Sequence, residues 1–84
     1  MQSTILVVED EPAIAELLSV NLGFAGHRVM VANDAEAAVA MIATELPDLV
    51  LLDWMLPGMS GVRLAKRLRS EGRTRDIPII MLTA

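Results

Sequence analysis

Three carboxylates in this 84-residue sequence stand where a phosphate-handling metal site would need them. Glu9 and Asp10 follow directly on the apolar run Thr4-Ile5-Leu6-Val7-Val8, and Asp53 follows directly on Leu49-Val50-Leu51-Leu52. A hydroxyl residue, Thr83, comes just after a further apolar run, 77–82. If the first and third runs are neighbouring strands, the acids converge in a small volume, and such a cluster is costly unless a cation neutralises it. Hard oxygen ligands in this number favour Mg2+, which keeps several waters and takes one or two carboxylates plus a substrate phosphate. Each part has an ordinary explanation alone, since acids suit the start of a helix and loops are rich in Asp. The combination of all four groups along one edge is what points to function.

Competing phosphate chemistries can be tested on the same residues. A P-loop needs Gly-rich backbone amides and a Lys-Ser/Thr pair after the first strand, where this chain has Glu9-Asp10-Glu11-Pro12. The Gly-x-Gly-x-x-Gly turn of a dinucleotide site is absent there too. Phosphatases of the haloacid dehalogenase type place an acid/base Asp two residues after the nucleophile; here that position is Met55, so rapid hydrolytic turnover lacks its proton donor. The single His27 lies beside Gly26 and Arg28 with no nucleophile or orienting acid near it in sequence, and reads as a surface loop residue. Trp54, next to Asp53, fits either partial burial against its loop or a contact beside the acceptor.

The elements that must carry these groups follow from the apolar pattern. Run 4–8 is too short for a helix and is ended by charges, so it reads as a strand buried on both faces. Pro12 suits a helix start, with Ile14, Leu17, Leu18 and Leu22 as its apolar stripe and Gly23 and Gly26 bracketing its end. Run 28–32 reads as a second strand. Asn33 or Asp34 can cap a second helix carrying Ala38, Met41 and Ile42. Pro47-Asp48 breaks it before the third strand, 49–52, which ends on Asp53. Residues 54–60 form a loop around Pro57-Gly58. Ser60 caps a third helix with Val62, Leu64, Ala65 and Leu68 on its apolar face and Gly72 at its end, and run 77–82 is the fourth strand, with Pro78 tolerable only near its start. Strands that are apolar throughout, alternating with helices, demand a mostly parallel sheet covered on both faces, an α/β fold.

Composition bounds the rest. The chain is 54% hydrophobic but only 2% aromatic, so the core must come from Leu, Ile, Val, Ala and Met in regular elements. The methionines at 30, 41, 55, 59 and 81 suit flexible packing. No apolar stretch approaches the roughly 18 residues of a membrane span, no basic n-region opens the chain, and there is no cysteine; a cytoplasmic protein with no membrane partner is expected. Residues 1–62 hold nine acids against Arg28 alone, whereas 63–84 hold six bases against two acids. The acidic part repels nucleic acid and attracts cations. The basic run, interleaved with apolar residues at helical spacing and lacking aromatics, reads as a solvated helix face.

Three segments, Ile5-Leu6-Val7-Val8-Glu9-Asp10-Glu11, Asp48-Leu49-Val50-Leu51-Leu52-Asp53-Trp54-Met55-Leu56-Pro57-Gly58 and Asp76-Ile77-Pro78-Ile79-Ile80-Met81-Leu82-Thr83-Ala84, spaced as that family spaces them, resemble the receiver domain of two-component response regulators, in the branch that carries winged-helix transcription factors. The resemblance implies a flavodoxin-like doubly wound sheet of order 2-1-3-4. It implies that Asp53 takes a phosphoryl group from a phosphohistidine on a sensor histidine kinase. Asp10, Asp53 and the main-chain carbonyl of Met55 would coordinate Mg2+, with Glu9 acting directly or through water, and Thr83 would move its hydroxyl onto the new phosphoryl oxygen. DNA would be reached only through an effector domain outside this chain. The family domain continues beyond Ala84 with a further strand bearing a Lys and two helices, so residues 1–84 are expected to be a receiver domain incomplete at its C-terminus. Lys66, in the third helix, does not stand in for that Lys. The fourth strand would then be an apolar, uncharged edge, and a homodimer or larger self-association through it is expected.

Overall fold

Four parallel strands in the order β2-β1-β3-β4 form the centre of the molecule. The computed structural model describes residues 2–82, arranged as β1 (Thr4–Val8), α1 (Pro12–Phe24), β2 (Arg28–Ala32), α2 (Ala35–Thr44), β3 (Leu49–Asp53), α3 (Gly61–Ser70) and β4 (Ile79–Leu82). The expected α/β class and strand order are those observed. Register is regular, with Val8 paired to both Ala32 and Leu52, and Asp53 to Leu82. At the opposite edge the Asp48 N–H donates to the Thr4 carbonyl at 2.7 Å, and the Thr4 N–H donates to Asp48 Oδ2 at 2.7 Å. Those two bonds tie the first residue of β1 to the residue just before β3.

Successive strand residues point to opposite faces, which divides the core in two. Leu6, Val8, Val50 and Leu52 face α2 and α3, meeting Ala35, Ala38, Ile42, Leu64 and Leu68. Ile5, Val7 and Leu51 face the other way, where Leu18 and Leu22 pack on them. Each fully buried Leu or Val contributes roughly 1.5–3 kcal/mol, and these buried positions are concentrated in β1 and β3.

Local signals explain the helix boundaries. Pro12 opens α1 behind an uncapped Glu11. Of the two candidates for the α2 cap, Asp34 takes the role, accepting from the Ala37 N–H at 2.7 Å. Ser60 caps α3 by accepting from the Arg63 N–H at 3.2 Å.

Several expectations are corrected. Ile14 and Leu17 do not belong to the buried stripe of α1, being 45% and 63% exposed; the inward residues are Ala15, Leu18 and Leu22. That helix is apolar nearly all round, so periodicity alone picks out no face. Val62 is also exposed, because it lies about 100° round α3 from the buried Gly61. Helix α3 ends at Ser70 rather than at Gly72, and β4 begins at Ile79 rather than at 77, since turns held by Arg69 intervene. The Arg69 guanidinium donates to the carbonyls of Arg75 and Ile77 at 2.8 and 2.6 Å, and the buried Thr74 hydroxyl donates to the Leu68 carbonyl. Arg63, Lys66, Arg67, Arg73 and Arg75 are exposed, as a solvated face requires. Among the described residues, no helix is long and apolar enough to cross a membrane.

Candidate functional site

Adjacent parallel strands deliver their C-terminal ends to the same edge of the sheet, and β1 and β3 are adjacent. Because Val8 pairs with Leu52, the next positions, Glu9 and Asp53, emerge side by side, with Asp10 one residue further on. One carboxylate oxygen from each of Glu9, Asp10 and Asp53 lies within 4.8 Å of the others. The three acids singled out in sequence are thus brought together, graded from buried Glu9 through half-buried Asp53 to exposed Asp10.

Backbone bonds hold each member in place. The Glu9 N–H donates to the Ala32 carbonyl at 3.0 Å, extending the pairing with β2 by one residue. Its side chain turns back, and Oε2 accepts from the Glu11 N–H at 3.1 Å, which fixes the turn into α1. Asp53 Oδ1 accepts from the Met55 N–H at 3.1 Å. The loop after Asp53 is pinned where its ends meet, with the Gly61 N–H donating to the Trp54 carbonyl at 3.0 Å. Leu56, in a segment that reads as plain loop, is buried in the core, and Met59 is partly buried against the same core. Gly58 takes the turn between them with φ of 74°, a conformation that favours glycine.

The acids open into a cleft of about 490 Å³, flanked by the apolar side chains of Ile14, Met55 and Leu82. Burial pushes the Glu9 carboxyl above its ordinary value of 4.5, and the Asp53 and Asp10 carboxyls push in the same direction; the Glu11 N–H offsets part of the rise. Neither ion pair among the described residues, Arg28–Glu45 or Arg67–Glu71, involves these acids. Converging oxygens with no protein cation between them form a donor set suited to a small hard ion such as Mg2+.

The remaining site expectations fare differently. The Met55 side chain lines the cleft and is 61% exposed. Thr83 lies outside the described residues. Trp54 is 42% exposed, which agrees with partial burial. His27 is half-buried at the opposite edge of the sheet, before β2. Gly61, against which the acceptor loop packs, was not marked by any charge or periodicity; the one signal for it was its place between a capping Ser and a helix, just past a Pro-Gly turn.

Comparison with known proteins bears on the same residues. The family model described as the response regulator receiver domain matches residues 5–84. The phosphate regulon transcriptional regulatory protein PhoB of Pseudomonas aeruginosa is 53% identical over 81 residues, covering 96% of this chain and 35% of that protein. PhoB of Escherichia coli is 49% identical over 84 residues, covering 100% of this chain and 37% of its own length. The chain therefore spans little more than a third of these curated relatives. A crystal structure of the N-terminal domain of a response regulator receiver protein from Methanoculleus marisnigri superposes with a TM-score of 0.96 at 39% identity, covering 100% of this chain and 68% of that one.

Proposed function

The chain belongs to the response regulator receiver domain family of two-component signalling, and from that premise we propose that Asp53 is its phosphoacceptor. The observation carrying this reading is the convergence of Glu9, Asp10 and Asp53 at the C-terminal edge of β1 and β3. In the transfer, an Asp53 carboxylate oxygen bonds to the phosphorus of a phosphohistidine on a sensor histidine kinase as the phosphorus–nitrogen bond breaks. The bonding electron pair leaves with the imidazole nitrogen, which takes up a proton, and the product is an acyl phosphate. Phosphoryl transfer depends chiefly on positioning and charge neutralisation, and the Met55 N–H orients the acceptor carboxylate.

Mg2+ would be held by Asp10, Asp53 and the main-chain carbonyl of Met55, with Glu9 acting directly or through water. When bound, it neutralises charge on the cluster and on the incoming phosphoryl oxygens. Thr83 supplies a hydroxyl to the modified acceptor and reports the change. The relatives named transcriptional regulators support an output in transcription, through a DNA-binding effector separate from these residues. Any catalysis is of the domain's own phosphorylation and dephosphorylation.

Among the described residues β4 stands last in the sheet and its Ile80 is 51% exposed, which supports a further element of the reading, self-association through that strand. The phosphoacceptor reading is tested by incubating the chain with acetyl phosphate, with and without Mg2+. A mass gain of one phosphoryl group that needs Mg2+, survives acid and is lost in base is expected; a chain that stays unmodified contradicts it.

A further inference from the structure

Gly61 opens α3 in the closest backbone approach made by any glycine of the chain. A Cβ built on it would lie 2.2 Å from the Asp53 carbonyl oxygen, 2.6 Å from the Trp54 Cα and 2.9 Å from the Asp53 carbonyl carbon. All three are main-chain atoms, which cannot swing aside as the end of a side chain can. Glycine is not needed here for its dihedral freedom, since the positive φ values belong to Gly26 and Gly58 alone. An alanine at Gly61 would otherwise favour the helix. The requirement for glycine is therefore one of space, and the space is taken by the peptide that carries the acceptor.

That peptide has nowhere convenient to go. Asp53 is in register with Leu82 of β4, and the Trp54 N–H points to the Leu82 carbonyl at 3.5 Å. On the other side, the Gly61 N–H holds the Trp54 carbonyl at 3.0 Å. Helix α3 is anchored from behind by Leu64 and Leu68, both essentially inaccessible. A side chain at position 61 must then push the end of β3 relative to β1, which shifts Asp53 against Glu9 and Asp10.

We propose that Gly61 is a positioning residue for the acceptor: by letting α3 seat directly on the Asp53–Trp54 peptide, it sets where the Asp53 carboxylate stands relative to the other two acids. The inference rests on Asp53 being the acceptor. A displacement of about 1 Å at a reacting group can lower a rate by roughly a hundredfold, so a partial shift predicts at least tenfold slower adduct formation.

The test compares the parent chain, Gly61→Ala and Gly23→Ala, the last at a glycine with nothing within 4 Å of its added Cβ. Rates of adduct formation from acetyl phosphate are normalised to the folded fraction from circular dichroism, and Mg2+ affinity is measured by calorimetry. The expected result is a tenfold or greater loss of rate with weaker Mg2+ binding in Gly61→Ala, and parent values in Gly23→Ala. If Gly61→Ala is only partly folded, the readings are repeated in trimethylamine N-oxide, which favours the compact state without touching the loop. A rate that stays low after secondary structure is restored supports positioning, and a rate that returns to the parent value overturns it. A reactive parent with an equally reactive Gly61→Ala overturns this inference alone. A parent that neither binds Mg2+ nor forms the adduct overturns the phosphoacceptor reading, and this inference with it.

Discussion

The apolar runs of β3 and β4 look alike in sequence, yet they live in different environments. Val50 and Leu52 of β3 are fully buried, whereas Ile80 of β4 is half exposed. Among the described residues β3 is central, paired on both sides, while β4 has a neighbouring strand, β3, on one side only. The composition of a strand thus sets its propensity, and its place in the sheet sets what it can do. The central pair β1 and β3 gives a rigid base for converging acids, which is what a site dependent on positioning needs. None of the four residues of β4, Ile79–Leu82, carries a charge that would discourage another strand from pairing with it.

The sharpest way to break this contrast is to truncate one residue in each strand. Leu52→Ala should cost about 2–5 kcal/mol, whereas Ile80→Ala should cost less than about 1 kcal/mol. Chemical denaturation measures both, and equal losses would mean that β3 is no more central to the core than β4. Asp10→Asn should weaken Mg2+ binding roughly tenfold, about 1.4 kcal/mol. Glu9→Gln should do less, because part of the Glu9 carboxylate is already engaged by the Glu11 N–H. Titration followed by Trp54 fluorescence ranks them, and parent affinity in Asp10→Asn would remove Asp10 from the ligand set.

At the edge, a charge should act where a truncation does not. Ile80→Lys should shift any dimer or larger assembly toward monomer in sedimentation across a dilution series; an unchanged distribution would place self-association elsewhere. The smallest effect concerns pH. Glu9 has its folded-state value raised by burial, so its contribution to stability is fully present below its ordinary 4.5 and is lost as pH rises through the raised value. In the absence of Mg2+, the parent should therefore lose stability relative to Glu9→Gln across that window. Parallel melting profiles for the two proteins would contradict the assignment.

Much of the scaffold was legible because its signals are local. Charges end β1, Pro12 opens α1, and Asp34 and Ser60 cap α2 and α3. The acids of the candidate site were legible by residue type and by their position after apolar runs, but their meeting depended on β1 and β3 being neighbours, which local pattern leaves conditional. The inward face of α1 was not legible, because Ile14, Leu17, Val20 and Phe24 make its outside as apolar as its inside. Leu56 and Gly61 were missed for a related reason. Their roles come from what the chain packs against across the loop, a tertiary fact with no periodicity of its own.

Asp53, among three clustered acids, is the one proposed to take the phosphoryl group. Borohydride reduces an acyl phosphate to the corresponding alcohol and leaves a free carboxylate untouched, so treating the chain after reaction with acetyl phosphate and Mg2+ marks the acceptor permanently. Peptide mass spectrometry should then find homoserine at position 53, with Glu9 and Asp10 unchanged and no conversion when the donor is omitted. Conversion at Asp10 or Glu9, or at no carboxylate in a chain that binds Mg2+, would contradict the account.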